Sequence, residues 1–210
     1  FTNEKYRIAI KAPVPKMEEA EQWGDYHFAK SLKKEFEKFG HSVRIDILPD
    51  WYNEKQIADQ VVLVLRGLSK YETNPAHINL MWNISHPDKV SPEEYDTYDH
   101  VFIASETYAE ELKTKVKTSV SALIQCTDEH LFYPDQDLVN HEVLFVGNSR
   151  KQYRQIVKDS IEAGLPLSVY GTRWEGIIPD HYVLGQNIPN AELRKYYGGA
   201  KIVLNDHWPT

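Results

Sequence analysis

The feature that most constrains this chain is Val61–Leu65, five consecutive aliphatic residues closed by Arg66. A strand with no polar alternation is apolar on both faces, so both faces must be covered, as in a parallel sheet whose crossovers carry helices. The preceding sequence supplies such a crossover. Tyr6–Ile10 reads as a strand, and the spacing of Phe28, Leu32, Phe36 and Phe39 predicts a helix over about Asp25–Phe39 with one buried stripe. Asp25 is placed to cap its first turn and Gly40 to end it. Val43, Ile45 and Ile47 then alternate with Ser42, Arg44 and Asp46 as a second strand.

Further strands are expected at Ile78–Ile84, Val101–Ala104 and Ala122–Ile124, with a helix over about Thr107–Lys115 between the last two. The link from Gly67 to His77 is short for a helical crossover. Asp135–Asn140 is polar and reads as a linker. A second set follows: a strand at Val143–Val146, a helix from about Lys151 to Ala163 stopped by Gly164 and Pro166, and a strand at Leu167–Tyr170. Tyr182–Leu184, Ala191–Tyr197 and Lys201–Leu204 read as strand, short helix and strand. The expected fold class is α/β with two Rossmann-like parallel-sheet domains, 1–134 and 141–210. The chain starts at Phe1 and stops at Thr210 directly after a strand, so the second domain is expected to be incomplete.

Several function classes are excluded or disfavoured. The formal net charge of −7 argues against a nucleic-acid partner, which calls for a basic face. No apolar run approaches a transmembrane length, no leader is evident, and the single cysteine, Cys126, permits no intrachain disulfide, so a cytoplasmic address is expected. No histidine–cysteine spacing matches a zinc site, and no metal or cofactor is expected. Gly-x-Gly-x-x-Gly, Walker and Gly-x-Ser-x-Gly signatures are all missing.

In open α/β sheets ligands bind beyond the carboxyl ends of the strands, which directs attention to the residues there. In the first domain these include Trp23-Gly24-Asp25, Arg66 and Ser85-His86-Pro87-Asp88. In the second they are Gly147-Asn148-Ser149-Arg150, Gly171-Thr172-Arg173-Trp174 and Asn205-Asp206-His207-Trp208. Gly147 removes a Cβ from the approach of a ligand, and a helix beginning near Arg150 would aim its free N–H groups at the same place. Arg150 or Arg154 could add a cationic fork for phosphate. The same sequence also fits a plain strand-to-helix turn with solvated arginines. Asp25 is either an N-cap or a site carboxylate, Arg66 a ligand or ion-pair group, and His86 a structural hydrogen-bonder or a cleft residue.

Val146-Gly147-Asn148, Tyr170-Gly171 with Trp174, Gly185 through Ile188, Leu193, Tyr196-Tyr197 and Ala200–Asn205 together resemble the donor-binding domain of CgeB-like glycosyltransferases, members of the group 1 class with the GT-B fold. Trp23-Gly24-Asp25 and Asn83–Pro87 are similar to the acceptor-side domain. The resemblance implies a hexosyltransferase acting from a nucleotide-sugar donor on a glycan, lipid or protein acceptor, with two domains closing over the substrates and no dissolved metal. It implies donor contacts at Gly147, Asn148, Arg150, Arg154, Tyr170, Gly171, Trp174, Ile188 and Asn205. It also implies acceptor-side roles for Trp23, Gly24 and Arg66, and catalytic roles for His86 and Asp25. The family's donor domain continues past His-Trp-Pro into a segment with a glutamate that binds ribose and sugar, which this sequence does not contain. A non-catalytic nucleotide- or sugar-binding module of the same fold is the alternative, and a periplasmic-type receptor a third.

Overall fold

The computed structural model describes residues 4–206. They form two compact units, one ending at Cys126 and one beginning at Thr127.

In the first unit β1 (Arg7–Lys11), β2 (Ser42–Asp46), β3 (Val61–Arg66), β4 (Ile78–Asn83), β5 (His100–Ile103) and β6 (Ser119–Ala122) form one parallel sheet in the order β2-β1-β3-β4-β5-β6. Every residue of β3 is buried, as its uniform apolarity requires. Val62 and Val64 face one core cluster with Met81, Val101, Ala109 and Leu112, whereas Leu63 and Leu65 face another with Ile10, Ala29 and Trp82. The second cluster lies under α1 (Gly24–Lys38), whose Phe28, Leu32 and Phe36 pack against it. Phe39 leaves the stripe at the helix end and is exposed. The helix starts one residue before Asp25. Trp23 occupies the N-cap without a side-chain cap, so Asp25 sits inside the first turn instead of capping it.

The short β3–β4 link contains no helix among its described elements; Tyr71 fills the core there in place of a crossover stripe. Two helices follow, α2 (Pro92–Tyr95) and α3 (Glu106–Lys113), capped by the hydroxyls of Ser91 and Ser105. The last strand lies about three residues earlier than the apolar run 122–124 suggests. Leu123 and Ile124 are exposed beyond its end.

In the second unit β7 (His141–Val146), α4 (Gln155–Glu162), β8 (Leu167–Tyr170), β9 (Val183–Gly185), α5 (Leu193–Gly199) and β10 (Ala200–Leu204) give a parallel sheet in the order β10-β7-β8-β9. Its core joins Val143, Phe145, Val157, Val169, Trp174 and Ile178. Two expectations need correction. The stretch read as a linker belongs to this unit, because Arg194 binds Asp135 at 2.8 Å, Lys195 binds Asp137 at 2.9 Å and Phe132 stacks near Tyr197. Helix α4 begins at Gln155 instead of Lys151, because Arg150 and Lys151 both take left-handed backbone, φ 60° and 59°, which no α-helix admits. Among the described residues no helix is long and apolar enough to cross a membrane.

Candidate functional site

Each sheet has one point where the connections change direction, between β1 and β3 in the first and between β7 and β10 in the second. Such points open a crevice at the carboxyl ends of the strands.

At the first unit's tips, the charges closest to the sheet are used up internally. Lys11, fully buried at the end of β1, donates to Asp46 at 2.8 Å and to the carbonyl of Trp51 at 2.6 Å. Arg44 bridges Asp46 and Asp59, each within 2.7 Å. Burial alone would raise the Asp46 pKa, but Arg44 and Lys11 outweigh it and hold the carboxyl below the ordinary aspartate range. Arg66 is 2% exposed. It grips Glu94 through two parallel bonds, Nε to Oε1 at 2.6 Å and Nη2 to Oε2 at 3.1 Å, and donates also to the carbonyls of Gly67 and Lys89. The expectation of an acceptor-side contact at Arg66 is therefore corrected: its guanidinium ties β3 to α2 and does not reach the strand-tip surface.

Asp25 and His86 stand partly exposed at these tips, beside the exposed ion pair of Asp88 and Lys89. Asp25, half-buried at the start of α1, has its pKa raised by burial, a shift opposed by its own backbone N–H and by the nearby His86. His86 follows β4 in left-handed backbone, φ 52°, and its Nδ1 lies 3.0 Å from Ser85 Oγ. The structure thus brings the two catalytic candidates within electrostatic reach of each other. Gly24, exposed between Trp23 and Asp25, has open space where a Cβ would stand, whereas Trp23 packs half-buried on the core.

At the second unit's tips the loops after β7 and β8 are knitted together. Gly147 N donates to the carbonyl of Tyr170 and Ser149 N to that of Thr172; Asn148 Oδ1 accepts from both the backbone and hydroxyl of Thr172 at 2.8 Å. Trp174 Nε1 donates to the Gly147 carbonyl at 2.9 Å, and Ser149 Oγ bonds the carbonyl of Arg173. Gly171 permits this closeness: a Cβ there would lie 2.1 Å from the Gly147 oxygen. Trp174 is 1% exposed and Ile188 is buried too, so neither ring nor side chain offers a face to a ligand here. Both were expected as donor contacts, and Trp174 acts instead through the loop backbone. Tyr170 is half-buried against Tyr196 and His141.

Arg154 spans the crevice between β7 and β10. It donates to Asp206 and to the Asn148 carbonyl, with its guanidinium 4.6 Å over Phe145. A Cβ on Gly147 would sit 2.9 Å from Arg154 Nη1, so the space above Gly147 is taken by the chain's own arginine. Burial and the like charge of Arg150 both lower the Arg154 pKa. Residues 147–154 and 171–174 carry Arg150, Lys151, Arg154 and Arg173 and no carboxylate, and three of these four stand in left-handed backbone. Asn205 is exposed just past β10. His207 and Trp208 lie outside the described residues.

Sequence reasoning singled out the tips but not the partners. Ser85, Thr172 and Asp206 stand in the tip segments already named, but no motif reports their bonds to His86, Asn148 and Arg154, and Glu94 lies outside those segments and is found only when α2 meets β3. Among the described residues no three His, Cys, Asp or Glu side chains gather as metal ligands. No protein-family model matches this sequence, and no curated protein matches it.

Proposed function

We propose that the chain is part of a nucleotide-sugar-dependent glycosyltransferase of the GT-B type, related to the CgeB-like group and transferring a hexose to a glycan, lipid or protein acceptor. The observation that carries this reading is the grouping of Arg150, Lys151 and Arg173 on the two turns just past β7 and β8, at 147–154 and 171–174, which hold no carboxylate between them. Their geometry is fixed by mutual hydrogen bonds before any ligand arrives. A preorganised cluster of guanidinium and ammonium groups suits an anion whose charge grows as a bond breaks. In this reading the second unit holds the donor diphosphate. The acceptor hydroxyl oxygen bonds to the anomeric carbon, and the bond from that carbon to the diphosphate breaks with its electron pair on the diphosphate. In an inverting reaction a base must take the hydroxyl proton, and Asp25 or His86 is the residue proposed for it; in a retaining one no protein base is needed at that step.

Thermal-shift and calorimetric titrations with UDP-, GDP- and dTDP-sugars test this. The expected result is binding to one nucleotide class, lost on raising the ionic strength. Silence towards all three would sink the proposal. Binding without nucleotide release in the presence of acceptors would favour the alternative of a sugar-nucleotide-binding module.

A further inference from the structure

The loop that presents His86 is held from behind by residues that a sugar-transfer reading of the site leaves without a role. Asn83, 3% exposed at the end of β4, donates from Nδ2 to the Ser85 carbonyl at 2.8 Å and to the Arg66 carbonyl at 3.1 Å, while its Oδ1 accepts from Tyr95 at 3.1 Å. The Ser85 backbone is thereby anchored to the core. Its hydroxyl lies against Gly67, where an added Cβ would stand 3.1 Å from Oγ and force it to give way. From that position Oγ meets His86 Nδ1 at 3.0 Å. His86 itself adopts a backbone region uncommon for a residue with a side chain, which persists only where the surroundings impose it.

We infer that Ser85 is a positioning residue: seated in the space that Gly67 leaves, its hydroxyl accepts from His86 Nδ1–H, fixing the ring tautomer that makes Nε2 the proton-accepting nitrogen. A hydrogen bond at one imidazole nitrogen decides the chemistry of the other. The inference rests on the reading of His86 as a proton acceptor in sugar transfer, and adds the group that prepares it.

Long-range proton–nitrogen NMR of the His86 ring, assigned by the signal missing from His86→Gln, tests the inference without any donor. The unaltered protein is expected to show the Nδ1–H tautomer. Ser85→Ala should mix the tautomers, Gly67→Ala should do so in part, and Ser85→Thr, which keeps the hydroxyl, should restore the single form. Amide spectra away from the loop check that each variant is folded. In a transfer assay Ser85→Ala should lower kcat roughly 10-fold with KM little changed, and Ser85→Thr should recover it. A dominant Nε2–H tautomer, ring signals indifferent to Ser85→Ala, or an altered tautomer with unchanged kcat would each overturn the inference. If the unaltered protein transfers no sugar, the reading of the site fails instead, while the ring spectra still decide whether Ser85 sets the tautomer.

Discussion

The two units share a parallel α/β plan yet balance the charges at their strand tips to different degrees. In the first, the buried Lys11 and Arg66 and the half-buried Arg44 are matched against Asp46, Asp59 and Glu94, so the tip is close to neutral internally. In the second, Arg154 is likewise matched, against Asp206, but the turns at 147–154 and 171–174 add Arg150, Lys151 and Arg173 in left-handed backbone without a carboxylate among them. A buried pair fixes geometry but offers little field to a ligand, because each charge is already solvated by its mate. On the proposed reading, one tip holds its shape around Asp25 and His86 and the other receives the donor diphosphate.

That contrast can be broken at several points. The largest effect is expected from Glu94→Ala, which strands the buried Arg66 guanidinium. Denaturant titration should show a loss of about 3–5 kcal/mol, whereas the double change Arg66→Met with Glu94→Leu should lose far less. Equal losses would mean that the pair is not the stabilising unit. Next, Asp25→Asn should cut turnover about 100-fold in an inverting reaction. Its folded pKa is raised, so folding disfavours the charged form at neutral pH; the neutral amide removes that penalty and the melting temperature should hold or rise. A fall in melting temperature would argue that Asp25 is structural.

In the second unit, Gly171→Ala drives a Cβ into the Gly147 carbonyl and should destabilise that unit by roughly 2 kcal/mol while loosening the β7 tip. Arg150→Ala should weaken nucleotide-diphosphate binding by about 1–3 kcal/mol, read by calorimetry, with no change in fold. An unaltered affinity would remove it from the site. The smallest effect concerns acid. Because Asp46 titrates below its ordinary range when folded, its contribution is full above the unfolded aspartate pKa and is lost as pH falls towards the folded value. The acid limb of first-unit unfolding, followed by Trp51 fluorescence, should flatten in Asp46→Asn.

Much of the scaffold was legible because it depends on local pattern. The apolar run of β3, the stripe Phe28–Leu32–Phe36 and the alternation of β2 each report burial through spacing alone. Boundaries failed where a non-local bond competed with propensity. Residues 151–154 read as the first turn of a helix, yet Ser149 and Asn148 just before them are recruited by Arg173 and Thr172 and hold the backbone in another conformation. At the site, Asp25 and His86 could be nominated from strand-tip position, and Arg66 could be recognised as either ligand or ion-pair group. Only its distant acid, Glu94, resolved the choice.

Amino-acid order alone determined that β3 must be covered on both faces, and where polar chemistry gathers along the chain, since burial periodicity and strand ends are properties of neighbours in sequence. Tertiary structure decided which of those polar groups are spent on one another and which keep a field or a proton to offer. Solvation of a charge depends on what stands within a few ångströms, and Lys11 with Asp46, Arg66 with Glu94 and Arg154 with Asp206 are brought that close only by the fold.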